Sequence, residues 1–323
     1  MDSSPTNKAI YADCCARYPE LPVFNQPWWL DAVCGTGEWD AALAFDGSGQ
    51  VVGALPYFLS RKWGFPVNVM PPLTPFFRLL LPAAPESALQ SALYSQYDES
   101  IRRLLSQLPP AVWFAQQYDY ALSDWMPFYR LGYDQTTRYS YVVEDISNPA
   151  SVFRGFDGQL RNEIRQAEQA LSWSADLDAG AFYELTEILF RHKKMPVPFG
   201  KDFFLHLDKV LAQRQSRILL GARDNAGAWT AGIYLLLDRD RIYFLASARN
   251  PALDRHNGTS FLLWKAMEML AGTRQTFDFE GSMIPGVEQR FRAFGGVRKP
   301  YFRISRARNK AWAIAHLLFA KRL

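Results

Sequence analysis

Apolar and polar positions alternate in two places that read alike. Residues 41–60 hold an apolar stretch, a polar turn at Asp46, Gly47, Ser48 and Gly49, and a second apolar stretch over 51–59. That is the pattern of a β-hairpin, with Gly and Ser supplying the turn. The same grammar returns at 217–237, where a strand-like run, a turn at Asp224, Asn225, Ala226 and Gly227, and another apolar run follow one another. A second pair of segments agrees. Residues 112–116 read as a strand, followed by Phe128, Leu131 and Gly132 and then the run 139–143; residues 277–280 read as a strand, followed by Phe291, Phe294 and Gly295 and then 301–304. Fourteen residues separate Phe114 from Phe128, and fourteen separate Phe277 from Phe291. The chain therefore reads as two divergent copies of one unit, joined near Ser147, Asn148 and Pro149.

Each copy is expected to hold a hairpin, a helix, a strand, a second helix and a final strand. The helices are expected over 97–108, stopped by Pro109 and Pro110, and over 259–270, with apolar residues on one face. Helices laid on a mixed sheet give an α/β or α+β class. The expected division is a first domain over 1–147, a second over 148–306 and a basic amphipathic tail over 307–323.

Composition narrows this picture. The 323 residues are 49% hydrophobic and 21% charged, which is too apolar for disorder and too interrupted for a membrane-spanning chain. Thirty-six Lys and Arg against thirty-two Asp and Glu leave a net charge of +4, enough for an anionic ligand but without the basic blocks of a duplex-binding protein. Three cysteines, Cys14, Cys15 and Cys34, offer no disulfide framework, and the N-terminus has no signal-peptide pattern, so a cytoplasmic protein is expected. Four scattered histidines form no spaced metal signature, and no metal is expected.

The segment richest in candidate chemistry is 277–296. A strand alternating Phe277, Asp278, Phe279 and Glu280 sends both carboxylates to one face, beside a break at Gly281 and Ser282. Ligand sites in α/β sheets form at such strand ends; the alternative is that both acids bond to backbone and arginines. Arg255, His256, Asn257, Gly258, Thr259 and Ser260 precede a helix, where free amides and the helix dipole favour an anion, although the same residues also make an ordinary N-cap. Arg161 and Arg165, four apart beside Asn162, share a helix face suited to phosphate or carboxylate, or to pairing with Glu163 and Glu168. In the first half, Trp28, Trp29 and the Pro-rich stretch 71–77 are suited to line a cleft or to pack a core.

These motifs resemble the FemAB-like branch of the GNAT acyltransferase superfamily, whose members carry two GNAT domains in tandem. The likeness rests on Asp278, Phe279 and Gly281 followed by Phe291, Arg292, Phe294 and Gly295; on Arg161, Asn162, Ile164 and Ala167; and on the Pro-rich stretch from Pro71 to Phe76. The loop from Arg255 to Ser260 is similar to the superfamily's pyrophosphate-binding loop. One departure is Arg292, where relatives that use charged tRNA commonly have Lys; Arg keeps the charge but does not give up a proton readily.

The resemblance implies two GNAT-like domains and an N-acyltransferase acting on an amine of a small-molecule or cell-envelope acceptor. Asp278, Glu280 and Arg292 are the implied catalytic residues. Arg255, Asn257, Gly258, Thr259 and Ser260 would hold the donor, and Arg161, Asn162, Arg165 and Phe291 the substrate. No permanently bound cofactor is implied. The donor is expected to be an acyl-CoA, with an aminoacyl-tRNA, and hence a FemX-like aminoacyl or peptidyl transferase, as the alternative. A GNAT-like binding module without catalysis and an RNA-binding protein are the rival classes. The tail, basic at both ends and apolar between, is also suited to peripheral contact at the inner face of a membrane.

Overall fold

The computed structural model describes residues 6–35, 39–81 and 90–319. The chain forms two compact units, one of residues 1–138 and 300–323, the other of residues 139–299.

In the first unit, α1 (Asn7–Arg17) and α2 (Pro27–Cys34) lead into β1 (Trp39–Phe45), β2 (Val51–Lys62) and β3 (Phe65–Val69), then α3 (Gln90–Ser106), β4 (Trp113–Tyr118), α4 (Met126–Arg130) and the start of β5 (Asp134–Val143). In the second, α5 (Pro149–Gly155), α6 (Gly158–Ala170), β6 (Ser172–Ser174), α7 (Ala179–His192) and α8 (Lys201–Gln213) precede the repeated pattern. That pattern is β7 (Arg217–Arg223), β8 (Trp229–Leu237), β9 (Arg241–Arg249), α9 (Gly258–Leu270), β10 (Thr276–Asp278), α10 (Pro285–Ala293) and β11 (Val297–Ala307). A last helix, α11 (Lys310–Phe319), returns to the first unit. The mixed-sheet class with flanking helices is the expected one.

The duplication is visible atom by atom in the two hairpins. Asp46 Oδ1 accepts from the amides of Ser48 and Gln50, and Asp224 Oδ1 from those of Ala226 and Ala228. Gly49 and Gly227 both sit at φ 82°, each donating to the carbonyl of its turn's Asp. Both hairpins also bulge at the same place, between Ala44 and Phe45 and between Ala222 and Arg223. A left-handed Gly closing the turn is what this conformation selects.

The expected boundary near residue 148 differs from the observed division, and the reason is an exchange of the last strands. Val142 and Val143 of β5 pair antiparallel with β10, whereas β11 from 302 onward pairs antiparallel with β4. Each repeat's final strand thus completes the other unit's sheet, and residues 300–323 belong to the first unit rather than to the second domain and a separate tail. Pairing of this kind is non-local and leaves no trace in hydrophobic period.

In the second unit β8 divides two layers of helices. Ala231, Ile233 and Leu235 face α6 and α9, where Phe261, Leu262 and Ile164 are buried. On the opposite face Gly232 lies under Phe182, and Tyr234 packs against Phe182 and Phe204 while its hydroxyl donates to Asp208. Gly258 must be glycine at this packing density, since a Cβ there would come within 2.9 Å of the Ala231 Cβ.

In the first unit the Pro-rich stretch is not the wall of an open cleft. Beyond the last β3–β4 pair, Val69 with Ala115, the chain turns back and lies along β4. Phe77 donates to the Gln117 carbonyl at 2.8 Å and accepts from Asp119 at 2.9 Å, and Phe76 and Phe77 are fully buried. Asn25, Trp29 and Asp119 tie this segment down through Arg78 and Thr74.

Candidate functional site

In the second unit β9 and β10 pair in parallel over three residues only, Thr276 with Arg241, Phe277 with Ile242 and Asp278 with Tyr243. β9 continues to Arg249 and carries a bulge at Leu245, so it leaves β10 and a gap opens along residues 244–249. Bulges and diverging strands re-aim side chains at functional sites. Leu245, Ala246 and Ser247 are half-exposed there, between the buried run 242–244 and the buried Ala248 of the same strand.

Strand β10 ends at Asp278, not at Glu280. Glu280 and Gly281 take φ values of 56° and 76°, so the two carboxylates do not share a strand face as expected. Gly281 has no substitute, because a Cβ there would fall 1.9 Å from the Tyr139 carbonyl oxygen. The two acids have different fates. Asp278 is 0% exposed and accepts from Ser140, from Arg241 at 3.2 Å and from the Glu280 amide at 2.9 Å, so its carboxyl is engaged within the protein. Burial raises its carboxyl in spite of those donors. Glu280 is half-buried as a residue, but its Oε1 is sealed from solvent and has no hydrogen-bond partner. Burial, with the Asp278 charge adding to it, pushes this carboxyl well above the usual range.

Two polar cavities of about 430 and 450 Å³ adjoin at a single ion pair. Arg290 donates to Glu163 Oε2 at 2.6 Å, Asn257 donates to the same oxygen at 2.8 Å and Gln159 to Oε1 at 3.0 Å. Burial works to raise Glu163, but these three donors outweigh it and hold the carboxyl below the usual range. Arg292 lines the first cavity and Arg249, Arg255 and His256 the second. Phe291, expected at the substrate, is instead 6% exposed and stacked on Phe279 at 4.8 Å. It anchors α10 so that its neighbours Arg290 and Arg292 reach the cavity.

The loop before α9 corrects another expectation. Gly258 does open the helix, but its amide already donates to Asp254 Oδ1 at 2.6 Å, and the amides of Ser260 and Phe261 turn to the Asn257 carbonyl. Asp254, 8% exposed, brings a negative charge to the helix N-terminus where an anion was expected; its Oδ2 lies 3.6 Å from Arg249 with no hydrogen bond. Ser260 is buried and Thr259 half-buried, leaving Arg255 and Asn257 of the expected cradle at the cavity. Positive side chains, rather than free amides, are what this region presents to an anion.

On α6 the expected residues turn away from these two cavities. Arg161 donates to the carbonyls of Arg154 (3.0 Å) and Phe156, closing the end of α5; Asn162 accepts from Arg165, whose guanidinium lies over the Phe153 ring at 5.5 Å. None of the three lines either cavity; Gln159, Glu163 and Gln166 of the same helix do. Their spacing of four and three residues was the legible signal, as was the second arginine two residues before Arg292. Among the described residues, no cluster of three or more His, Cys, Asp or Glu is placed to hold a metal, and no helix is long and apolar enough to cross a membrane.

Residues 154–289 match the family model of the acetyltransferase (GNAT) domain. No protein of curated function matches the chain in sequence. Among solved structures, the crystal structure of FemX aligns with a TM-score of 0.64 at 12% identity, covering 94% of this chain and 97% of that one. The structure of L-PGS from Bacillus licheniformis aligns at 0.54 and 10% identity, covering 99% and 98%. A tandem GNAT protein from the clavulanic acid biosynthesis pathway aligns at 0.50 and 12%, covering 87% and 94%. At these identities the likeness is one of fold.

Proposed function

We propose that this chain, whose residues 154–289 match the acetyltransferase (GNAT) domain, transfers an acyl group from an activated donor to an amine, with Glu280 as the proton acceptor. The observation that carries this reading is the Glu280 carboxylate oxygen, buried and unpartnered where β9 and β10 part. The acceptor's amine attacks the donor's acyl carbonyl; a C–N bond forms, the acyl–donor bond breaks, the nitrogen's proton passes to Glu280 and the donor's leaving group takes a proton in turn. A carboxyl whose affinity for protons is raised by burial is suited to that transfer. Arg292 and Arg290 supply positive charge to the donor's anionic part and to charge developing on the carbonyl oxygen.

An acyl-CoA remains the first donor of this reading, its phosphates met by Arg249, Arg255 and Arg290 rather than by the loop amides. A charged tRNA is the second, favoured by the occupation of the Gly258 amide by Asp254, which leaves less of a pyrophosphate cradle than an acyl-CoA site uses. Incubation of the purified chain with radiolabelled acetyl-CoA, or with charged tRNA, and a panel of amines decides between them. Label in an amine product from acetyl-CoA supports the first donor. Label that disappears with ribonuclease supports the second, and label from neither donor rejects the transferase reading.

A further inference from the structure

The start of α9 is a place where an anion gains from a backbone amide and from the helix dipole, and the chain supplies that anion itself. Asp254 Oδ1 accepts from the Gly258 amide at 2.6 Å. Packing brings the amide there, since Gly258 lies so close to Ala231 that a Cβ would stand 2.9 Å from the Ala231 Cβ and 3.2 Å from Asp254 Oδ1. One N–H is one donor, so a phosphate oxygen and this carboxylate compete for it.

Holding the helix end does not by itself account for an acid at this position. One oxygen is enough for that bond, and a neutral Asn or Ser supplies it as well. The second oxygen, Oδ2, is sealed from solvent without a hydrogen bond, 3.6 Å from Arg249, on a side chain that is 1% exposed and lines the second cavity. A buried carboxylate oxygen without a donor is costly, so a residue that keeps one is retained at the expense of stability. Its charge bears on the cavity. Arg249, Arg255 and Arg290 share that wall with Asp254 and Glu163, so acids of the same lining oppose two of the three guanidinium charges.

We propose that Asp254 is the residue that sets donor selectivity in the second unit: its carboxylate stands where a donor's phosphate would meet the start of α9, confines such phosphates to the arginine side chains, and so weakens donors that carry a pyrophosphate. This rests on the reading that the second unit holds an anionic acyl donor, and it adds the group that decides how tightly that donor's phosphates are held. Asp254 acts by excluding and repelling a ligand, not by taking part in the transfer of the acyl group.

Titration calorimetry of the full chain with CoA and with inorganic pyrophosphate tests it. Asp254→Asn keeps an oxygen for the Gly258 amide but puts a donor in place of Oδ2, and it is expected to raise affinity for both ligands about threefold. Asp254→Ala also vacates the amide and is expected to raise it about tenfold; should that variant not fold, Asp254→Asn decides. The direction is the informative part, because removing a residue needed only for the fold lowers affinity. Glu184→Gln removes one negative charge at an exposed position on α7 that lines neither cavity, and is expected to change nothing. Binding by Asp254→Asn no tighter than by the unaltered chain, binding of neither ligand by any variant, or an equal gain in Glu184→Gln overturns the proposal. Transfer is read separately. Tighter CoA binding in the Asp254 variants, with labelled product from no donor, upholds this role and rejects the transferase reading; transfer from acetyl-CoA without any gain in affinity does the reverse.

Discussion

The two repeats share a hairpin, a helix and a parting pair of strands, yet they treat the gap between those strands in opposite ways. In the first unit the gap beside β4 is filled by the chain itself, with Phe77 hydrogen-bonded into the position a partner strand would take. In the second unit β9 leaves β10 after Tyr243, and no segment of that kind lies along the gap among the described residues. The contrast reaches single residues. The counterpart of Glu280, counted from the paired Phe114 and Phe277, is Gln117, which donates its amide to the Pro75 carbonyl at 2.7 Å and so helps to hold the filling segment. A neutral side chain with a donor suits a packed gap; the unpartnered carboxylate is what the proposed function would place beside a substrate.

Glu280→Gln, which gives the second unit the first unit's residue, is the sharpest challenge to this contrast. Acyl transfer is expected to fall by about 10²–10⁴ in kcat, with donor affinity kept, because only proton transfer is removed. Single-turnover kinetics beside equilibrium donor binding checks this, and equal loss of binding would reduce Glu280 to a structural acid. Phe77→Ala addresses the other copy. Truncating this fully buried ring is expected to cost about 3–5 kcal/mol, read from the shift of a urea unfolding midpoint, while the surviving folded protein keeps its donor affinity. Arg290→Met is expected to raise the donor KM by about tenfold with kcat little changed, since one charge-assisted contact is lost.

The smallest effects are in pH dependence, and they carry opposite signs. Glu163 is held below its ordinary value of 4.5, so its contribution to stability is complete above that pH and is lost as the pH falls through the folded-state value. Glu280 is held above 4.5, so its carboxyl favours the folded state at low pH and that contribution declines as the pH rises through its folded value. Unfolding curves against pH for Glu163→Gln and Glu280→Gln are expected to lose one of these slopes each. The transfer rate is expected to rise with pH through the Glu280 value and to lose that limb in Glu280→Gln.

The sequence carried the repeated architecture because hairpin turns and apolar period are local. Asp46 and Asp224 bond to their own turns, and Gly49 and Gly227 take φ values that few other residues tolerate, so each announces itself within five residues. Glu280 was legible as a candidate for the same reason, as was the basic amphipathic tail. What tertiary structure alone decided were the outcomes of long-range competition. Exchange of β5 and β11 moved the unit boundary, and Ser140 and Arg241 claimed Asp278 while leaving Glu280 without a partner. Asp254 took the amide that the Gly258 loop offered to an anion, and the turn of α6 presented Glu163 rather than Arg161 to the cavities. The strand exchange and the pairing of Asp278 depend on groups from distant stretches of chain, which residue type and local spacing do not encode.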